Sequence, residues 1–295
     1  MGRFRLNLPA TLRAQLPFLF VAFGVTLASA GLRTAFVARA DGAGRARRLV
    51  RQYLKPARLL DLLRLGLAVA VVSYGYSWLK VFVPRLNPAV TDAALDRMDT
   101  VLHLGVGPNR LLIGLLPYPV FLRVLDVQYA LFFVTLLMGV GWFLSPLSTA
   151  ERARFASGFA FLWLVGSWWY VATPSLGPCY TFPSDYASVH PHIPIQGALQ
   201  GALLHQYVGV REGRVASLNP SYGVAAMPSL HVAWQAFVAL WARRRAPKLA
   251  AFFWIMAALT FFGSLLTGWH YAVDGYAGLL LAFLAKRWGE RKGMT

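Results

Sequence analysis

Long apolar stretches separated by short basic or polar segments are the main pattern along the chain. A helix that spans a membrane needs roughly 20 mostly apolar residues. Six stretches approach this length: residues 62–83, 124–144, 155–173, 224–241, 249–267 and 271–285. A further N-terminal stretch, residues 16–32, is short for a span. The pattern predicts an all-α polytopic membrane protein with a six-helix transmembrane core, an N-terminal apolar segment and interfacial helices.

Two shorter segments are expected at the membrane surface. Pro117 and Pro119 interrupt the apolar run 111–122, which we interpret as a short interfacial helix. Residues 195–205 show helical spacing of their apolar positions, next to three polar side chains. The apolar positions are Ile195, Ala198, Leu199, Ala202 and Leu203, and the polar ones are Gln196, Gln200 and His205. This pattern predicts an amphipathic helix lying on the membrane near the functional site, with a role as a lid as the second interpretation.

The distribution of basic residues orients the predicted spans. The chain has 29 Lys and Arg against 11 Asp and Glu, for a net charge of +18. Loops on the cytoplasmic side of a membrane are rich in Lys and Arg. The basic segments, at 33–60, 152–154, 243–248 and 286–292, all fall on one side of the six spans. We therefore predict a multi-pass protein of the inner cell membrane, with residues 1–60 as an apolar segment and basic loop and 61–295 as the six-helix domain.

Composition agrees with a lipid environment and excludes several other classes. Hydrophobic residues make up 57% of the chain and charged residues only 14%, against a usual charged share of about 25%. The basic residues lie between apolar runs rather than along one continuous face, so a nucleic-acid partner is not expected. With Cys179 as the single cysteine, an intrachain disulfide cannot form.

His270 and Asp274 form the first chemical candidate. They are four residues apart and would share one face of a helix. A carboxylate in that position can hold one ring N–H of the histidine and leave the lone pair of the other nitrogen free. A histidine nucleophile or base needs this arrangement. Taken alone, the pair is better explained as a structural contact at a helix end.

The segment Met227-Pro228-Ser229-Leu230-His231 is the second candidate, at the point where a long loop enters a helix. Pro228 suits the first turn of a helix, and the free N–H groups there favour an anion. A phosphate held beside Ser229 could exchange a proton with His231, although a capped helix with one packed histidine is the better explanation when the segment is taken alone. The predicted topology places both histidines at one depth, on the extracytoplasmic side.

Together these segments resemble two signature motifs, PSxH and HxxxD, of the phosphatidic acid phosphatase type 2 superfamily. Further elements are similar to its inositol-phosphorylceramide synthase branch, over roughly residues 75–288. They are Tyr271 and Gly278 in the form HYxxDxxxG, the P-x-x-G-P element at Pro174-Ser175-Leu176-Gly177-Pro178, and more weakly Asp92, Asp96 and Asp99 before Gly105 and Gly107.

The chain also departs from the superfamily pattern. The K-x6-R-P motif is absent, because six residues separate Lys80 from Asn87 and not from an Arg-Pro pair. Ser264 replaces the arginine usually found six residues before the second histidine. These losses favour the synthase-like branch. They also leave open which of five arginines binds the phosphate. They are Arg85, Arg97, Arg110, Arg211 and Arg214, of which Arg85 and Arg110, together with Ser229 and Tyr271, are the candidate substrate-binding residues.

The resemblance implies a two-step reaction that uses neither a metal nor a cofactor. His270 would attack the phosphorus while Asp274 holds its ring, and His231 would protonate the departing hydroxyl and then deprotonate the acceptor. The expected function is transfer of a phospho-head group, such as phosphoinositol, from a phospholipid donor to a lipid-alcohol acceptor such as ceramide. A lipid-phosphate or polyprenyl-diphosphate phosphatase is the alternative among enzymes. A proton-coupled transporter is the alternative of another class.

Two other polar groups are weaker candidates. Asp185, His190 and His192 could suggest a metal site, but their spacing is irregular and prolines interrupt the backbone between and after the histidines. Asp126 lies near the start of a predicted span, where an ionisable residue is often functional. Arg123, one turn earlier, is an equally good structural partner for it.

Overall fold

The computed structural model of the protein is helical and contains no strand in the part of the chain that it describes. It describes residues 42–115, 119–144, 148–214 and 218–291, together with isolated positions before residue 42. Almost all of the N-terminal apolar segment 16–32 lies outside these residues. The predicted all-α fold is confirmed for the described ranges.

The described residues form twelve α-helices, numbered here in chain order. They are α1 (Ala43–Tyr53), α2 (Pro56–Leu86), α3 (Asp92–Leu102), α4 (Pro108–Leu115), α5 (Pro119–Ala130), α6 (Phe132–Leu144), α7 (Thr149–Ala172), α8 (Pro178–Thr181), α9 (Pro194–Glu212), α10 (Leu230–Ala242), α11 (Pro247–Leu266) and α12 (Ala272–Arg291). Two short 3₁₀ helices, Pro183–Tyr186 and His190–His192, lie between α8 and α9.

The long helices run alternately in opposite directions between two ends of a bundle. At one end, which we call the histidine end, the N–H of Thr91 after α2 donates to the carbonyl of Pro174 after α7, at 2.8 Å. At the other, the basic end, Arg152 at the start of α7 donates to Asp61 at the start of α2. Arg245, after α10, pairs there with Glu151. The basic segments that the sequence placed on one side therefore do share one end.

All six predicted spans correspond to helices, although not all are long and apolar. Among the described residues, three helices could cross a membrane by length and composition, namely α2, α7 and α11. The bent pair α5 and α6, with an angle of 44° between them, would make a fourth. The other two are α10, apolar but only 13 residues long, and α12, which buries Asp274 in its first turn. The polytopic architecture is confirmed. Its two less typical helices, α10 and α12, also carry residues of the histidine end.

Two predicted boundaries were wrong for identifiable reasons. The run 111–122 is not a separate interfacial helix, because its described residues 111–115 belong to α4 and residues 119–122 belong to α5, which continues to Ala130. The span predicted from residue 224 begins as a helix only at Leu230. The preceding segment instead donates the N–H groups of Ala226 and Met227 to Ser175, at 3.0 and 2.9 Å.

Helix α9 turns its glutamines towards the protein and leaves part of its predicted apolar face exposed, as a helix resting on a membrane by that face requires. Gln196, Gln200 and Gln206 are buried, whereas Ile195 and Leu199 are exposed by 49% and 38%. The glutamines point inward because they bond to polar groups at the histidine end. For example, the side-chain amide of Gln200 donates to the carbonyl of Thr267 at 2.8 Å. Ile195 and Leu199 are consequently turned away from the protein, whereas Leu203 of the same predicted face is buried.

Candidate active site

His270 lies in the turn between α11 and α12 and is held from both its ring and its backbone. It is only 4% exposed. Its Nδ1 atom lies 3.2 Å from Oδ2 of Asp274, which also accepts the N–H of Tyr271 at 3.0 Å. The side-chain amide of Asn109 donates to the carbonyl of His270 at 2.9 Å. The ring therefore has a fixed orientation in which Nδ1 is used by Asp274 and Nε2 remains for a substrate.

His231 lies in the first turn of α10, and Tyr129 contacts its ring. The Nδ1 atom of His231 is 3.2 Å from the hydroxyl of Tyr129. The ring centroids of Tyr129 and Phe132 are 4.8 and 4.2 Å from that of His231. The two histidine rings have centroids 6.1 Å apart. The two sequence motifs thus come together at one end of the bundle.

A backbone crossing between α10 and α12 makes this approach of the histidines possible. The N–H of Ser229 donates to the carbonyl of Asp274 at 2.8 Å. Ser229 caps α10, since its hydroxyl accepts the N–H of Val232 at 3.5 Å. A Cβ atom at Gly278 would overlap the carbonyl oxygen of Ser229. The last glycine of the HYxxDxxxG pattern is thus required by helix packing.

The loop Pro174–Pro178 and the residue after it bond to the segments that precede His231 and His270. On one side Ser175 accepts the two N–H groups that precede α10, as described above. On the other side the N–H of Cys179 donates to the carbonyl of Gly268 at 2.9 Å. Gly177 has a φ of +111°, and a Cβ there would overlap the carbonyl oxygen of Trp269. The P-x-x-G-P element therefore acts as a connector, and the hydroxyl of Ser175, its one side chain with a hydroxyl, is engaged by the N–H of Met227.

Two buried aspartates of α3 accept backbone N–H groups from the P-x-x-G-P loop and from the start of α12. Asp92 accepts the N–H groups of Leu176 and Gly177 at 2.9 and 2.8 Å, and the hydroxyl of Tyr271 at 3.1 Å. Asp99 accepts the N–H groups of Ala272 and Val273, at 2.6 and 2.8 Å. Burial raises the pKa of the Asp99 carboxyl, and these two N–H bonds oppose that shift. Asp92 therefore fixes the P-x-x-G-P loop, and Asp99 fixes the helix start that carries Asp274.

Comparison of the sequence with models of known protein families tests the family resemblance that the motifs suggested. The sequence model of the PAP2 superfamily matches residues 93–288, which is more than half of the chain. The chain belongs to the PAP2 superfamily. No curated protein and no solved structure matches it. Membership supports a membrane enzyme with lipid phosphatase or phosphotransferase chemistry, and does not by itself distinguish branches of the superfamily.

The PAP2 substrate-binding candidates occupy varied positions. Ser229 and Tyr271 are buried beside the histidines, with the partners given above. Arg85 donates from Nε to the carbonyl of Val210 at 2.7 Å. Arg110 is half exposed and pairs with Asp96 and Asp185, at 3.2 and 2.9 Å. Both arginines are thus already engaged by protein groups in this structure.

Lys80 is a candidate that sequence reasoning set aside. Its Nζ atom lies over the ring of Tyr170, 5.4 Å from the centroid, and it is close enough to His231 for an electrostatic interaction. Within the described ranges, no carboxylate pairs with it. The sequence offered Lys80 as the lysine that begins the K-x6-R-P motif. It was not chosen as a candidate because Asn87 stands where that motif has its arginine. The side-chain amide of Asn87 donates to the carbonyl of Val171 at 2.8 Å, and so joins the ends of α2 and α7.

The remaining polar candidates have structural roles. Asp126 does not rely on Arg123: it accepts the N–H groups of Ile195 and Gln196, at 3.0 and 2.8 Å, and so caps α9. Asp185 pairs with Arg110. In the described part of the chain, no group of three or more His, Cys, Asp or Glu side chains is arranged to hold a metal ion.

Proposed function

We propose that this PAP2 superfamily enzyme transfers a phosphate-bearing head group from a phospholipid to a lipid alcohol through a phosphohistidine at His270. The observation that carries the proposal is the pairing of His270 Nδ1 with the buried Asp274. The centroid of the His231 ring lies 6.1 Å from that of the His270 ring. One histidine is oriented for attack, and the second lies close enough to serve the leaving and entering oxygens.

In the first step, Nε2 of His270 attacks the phosphorus of the donor. The bond between phosphorus and the lipid oxygen breaks, and His231 gives its Nε2 proton to that oxygen. Asp274 holds the proton on Nδ1 of His270, so the nitrogen lone pair that attacks is the one at Nε2. A covalent intermediate of this kind divides one difficult displacement into two easier ones.

In the second step, the hydroxyl of the acceptor lipid attacks the phosphohistidine. His231, now neutral, takes the hydroxyl proton, the nitrogen–phosphorus bond breaks, and the head group is transferred. Proton transfer by a positioned side chain contributes typically ~10²–10⁴-fold to a rate. After this step both histidines are again in their starting states.

The phosphate requires positive charge near the two rings. Lys80 is the best candidate for this role, because its ammonium group lies over Tyr170 on the side of His231 and no carboxylate in the described ranges pairs with it. The N–H groups at the start of α10, next to Ser229, supply a further attraction for an anion. Tyr271 stays a candidate, and Arg85 or Arg110 would have to exchange a protein partner for the substrate.

The nature of donor and acceptor rests on resemblance to the inositol-phosphorylceramide synthase branch. The HYxxDxxxG pattern and the P-x-x-G-P loop support phosphoinositol as the head group and ceramide as the acceptor. The basic residues gathered at one end of the bundle support an inner-membrane orientation with the histidines on the extracytoplasmic side.

A lipid-phosphate phosphatase is the second candidate function. His231 is partly exposed, so water could reach the position of the acceptor hydroxyl. The same two steps would then release the head group or free phosphate instead of transferring it. The chemistry at His270 is common to both functions.

The test uses the full chain reconstituted with radiolabelled phosphatidylinositol and ceramide, with the products separated by thin-layer chromatography. We expect labelled inositol-phosphorylceramide, and an acid-labile adduct on His270 when the acceptor is omitted. His270→Gln should lower turnover by ~10⁴-fold or more without loss of the folded protein. Labelled water-soluble products in place of the lipid would favour the phosphatase. Turnover retained in His270→Gln would contradict both.

A further inference from the structure

Tyr129 occupies the same position relative to His231 that Asp274 occupies relative to His270. Its hydroxyl lies 3.2 Å from Nδ1 of His231, and Oδ2 of Asp274 lies 3.2 Å from Nδ1 of His270. In both rings Nε2 is left for a substrate. The difference is chemical: one ring is paired with a carboxylate and the other with a phenol.

The phenol of Tyr129 is itself held firmly. Its ring stacks on Trp269, with centroids 5.7 Å apart and planes 1° from parallel. The indole N–H of Trp269 donates to Oε1 of Gln196 at 2.6 Å. Tyr129 is only 7% exposed and also packs against Leu203 and Tyr207 of α9. Its hydroxyl therefore has little freedom to leave the ring of His231.

We propose that Tyr129 is the positioning residue of His231, a role that rests on the proposed function. The phenol oxygen accepts the Nδ1 proton of His231 and keeps Nε2 as the atom that gains and loses protons. In the first step Nε2 gives its proton to the departing lipid oxygen, and in the second step it takes the proton of the acceptor hydroxyl. Tyr129 stays protonated and neutral throughout, so protons balance between Nε2 and the two lipid oxygens.

The difference between the two partners suits the two roles. A carboxylate offsets the positive charge that develops on a histidine as it bonds to phosphorus. A phenol supplies direction without charge, which is what a histidine that alternates between acid and base requires. Asp274 thus supports the nucleophile, and Tyr129 supports the proton carrier.

The deciding measurement is the dependence of the first step on the leaving group. Tyr129→Phe keeps the ring that stacks on Trp269 and removes only the hydroxyl. With phosphatidylinositol, we expect formation of the His270 adduct to slow by ~10- to 100-fold. With a nitrophenyl phosphodiester, whose phenolate departs without a proton, the burst of nitrophenolate should stay within ~2-fold of wild type. A merely structural role would lower both rates together.

The matched control is Tyr180→Phe. Tyr180 is a partly buried neighbour whose hydroxyl donates to the carbonyl of Gln200 at 3.2 Å and contacts neither histidine. This variant should leave both rates near wild type. His231→Gln should show the same leaving-group pattern as Tyr129→Phe with a larger loss, and the double variant should lose no more than His231→Gln alone.

The outcomes separate this inference from the proposed function. A wild-type enzyme that forms no adduct with either substrate would overturn the proposed function. An active wild type in which Tyr129→Phe slows both first steps equally, or neither, would overturn the role of Tyr129 alone.

Discussion

The two ends of the bundle are held together by different kinds of interaction. At the histidine end, buried side chains bond to backbone groups that lie far away in the sequence. Asp99 and the N–H of Val273 are separated by 174 positions. Towards the basic end, close helix contacts dominate: Gly158 of α7 lies against the backbone of Ala285 and the ring of Phe237. Individual polar bonds dominate at the histidine end, whereas the basic end combines the Arg152–Asp61 and Arg245–Glu151 ion pairs with close helix packing.

This difference between the two ends leads us to expect different effects of substitutions on turnover and on stability. The polar bonds hold the turn that carries His270 and Asp274, and the rate of a reaction between bound groups depends on such positioning. The glycine and aromatic contacts resemble the packing of small residues that brings helices together in membranes. We therefore expect substitutions near the basic end to act mainly on stability, and substitutions at the histidine end to act on turnover as well.

The largest effect on stability is expected from Gly158→Ala. The added Cβ would lie 2.9 Å from the carbonyl oxygen of Ala285 and 3.0 Å from the ring of Phe237, so α7 and α12 would have to separate. The free energy of unfolding should fall by about 2–3 kcal/mol, measured by denaturant unfolding in detergent. The turnover of the protein that remains folded should be unchanged.

Gly66→Ala is the matched control for that prediction. Gly66 is also in a long helix, α2, but a Cβ there would meet nothing within 4 Å. Alanine should be neutral or should raise stability by up to ~1 kcal/mol. Equal losses in the two variants would show that close packing at Gly158 is not what matters.

Asp99→Asn should have the next largest effect, and should act on both properties. An amide offers one acceptor oxygen to the N–H groups of Ala272 and Val273, where the carboxylate offers two. We expect a loss of about 1–3 kcal/mol in the free energy of unfolding. Formation of the His270 adduct should slow by ~10-fold or more, measured by rapid quenching. An adduct rate equal to wild type would mean that the helix start keeps its position without Asp99.

Asp96→Asn is expected to have the smallest effect. Asp96 lies in the same helix as Asp99 but pairs with the half-exposed Arg110. Such surface pairs contribute about 0–1 kcal/mol, so stability and adduct formation should stay near wild type. A large loss in the adduct rate would indicate that Arg110 acts on the substrate and needs Asp96 to hold it.

The sequence was sufficient for features that depend on local pattern. Apolar length predicted where the long helices lie, and two short motifs predicted His231, His270 and Asp274 at one end of the bundle. The charge pattern placed the basic segments together at the other end, as the bonds between Arg152, Asp61 and neighbouring residues confirm.

Features that depend on pairing across the fold could not be predicted. Tyr129 lies 102 positions from His231 and has no motif of its own. Asp92 and Asp99 were noticed only through a weak likeness, because nothing local shows that they bond to backbone N–H groups of other segments. For α9, helical spacing predicted the two faces of the helix but not the backbone partners of its glutamines, such as the carbonyl of Thr267.

The connector at Pro174–Pro178 has a practical consequence for building chimaeras from members of the superfamily. The hydroxyl of Ser175 accepts the N–H of Met227, and the N–H of Cys179, directly after the connector, donates to the carbonyl of Gly268. A crossover that brings these three segments from different parents would therefore mismatch the spacing of the histidines. The three segments should be inherited as one block. The turn at residues 243–246 between α10 and α11 lies at the opposite end, and its Arg245 makes an exposed ion pair with Glu151. Because that turn lies between Met227 and Gly268 in the sequence, a single crossover there would divide the block, even though the turn lies at the other end of the bundle.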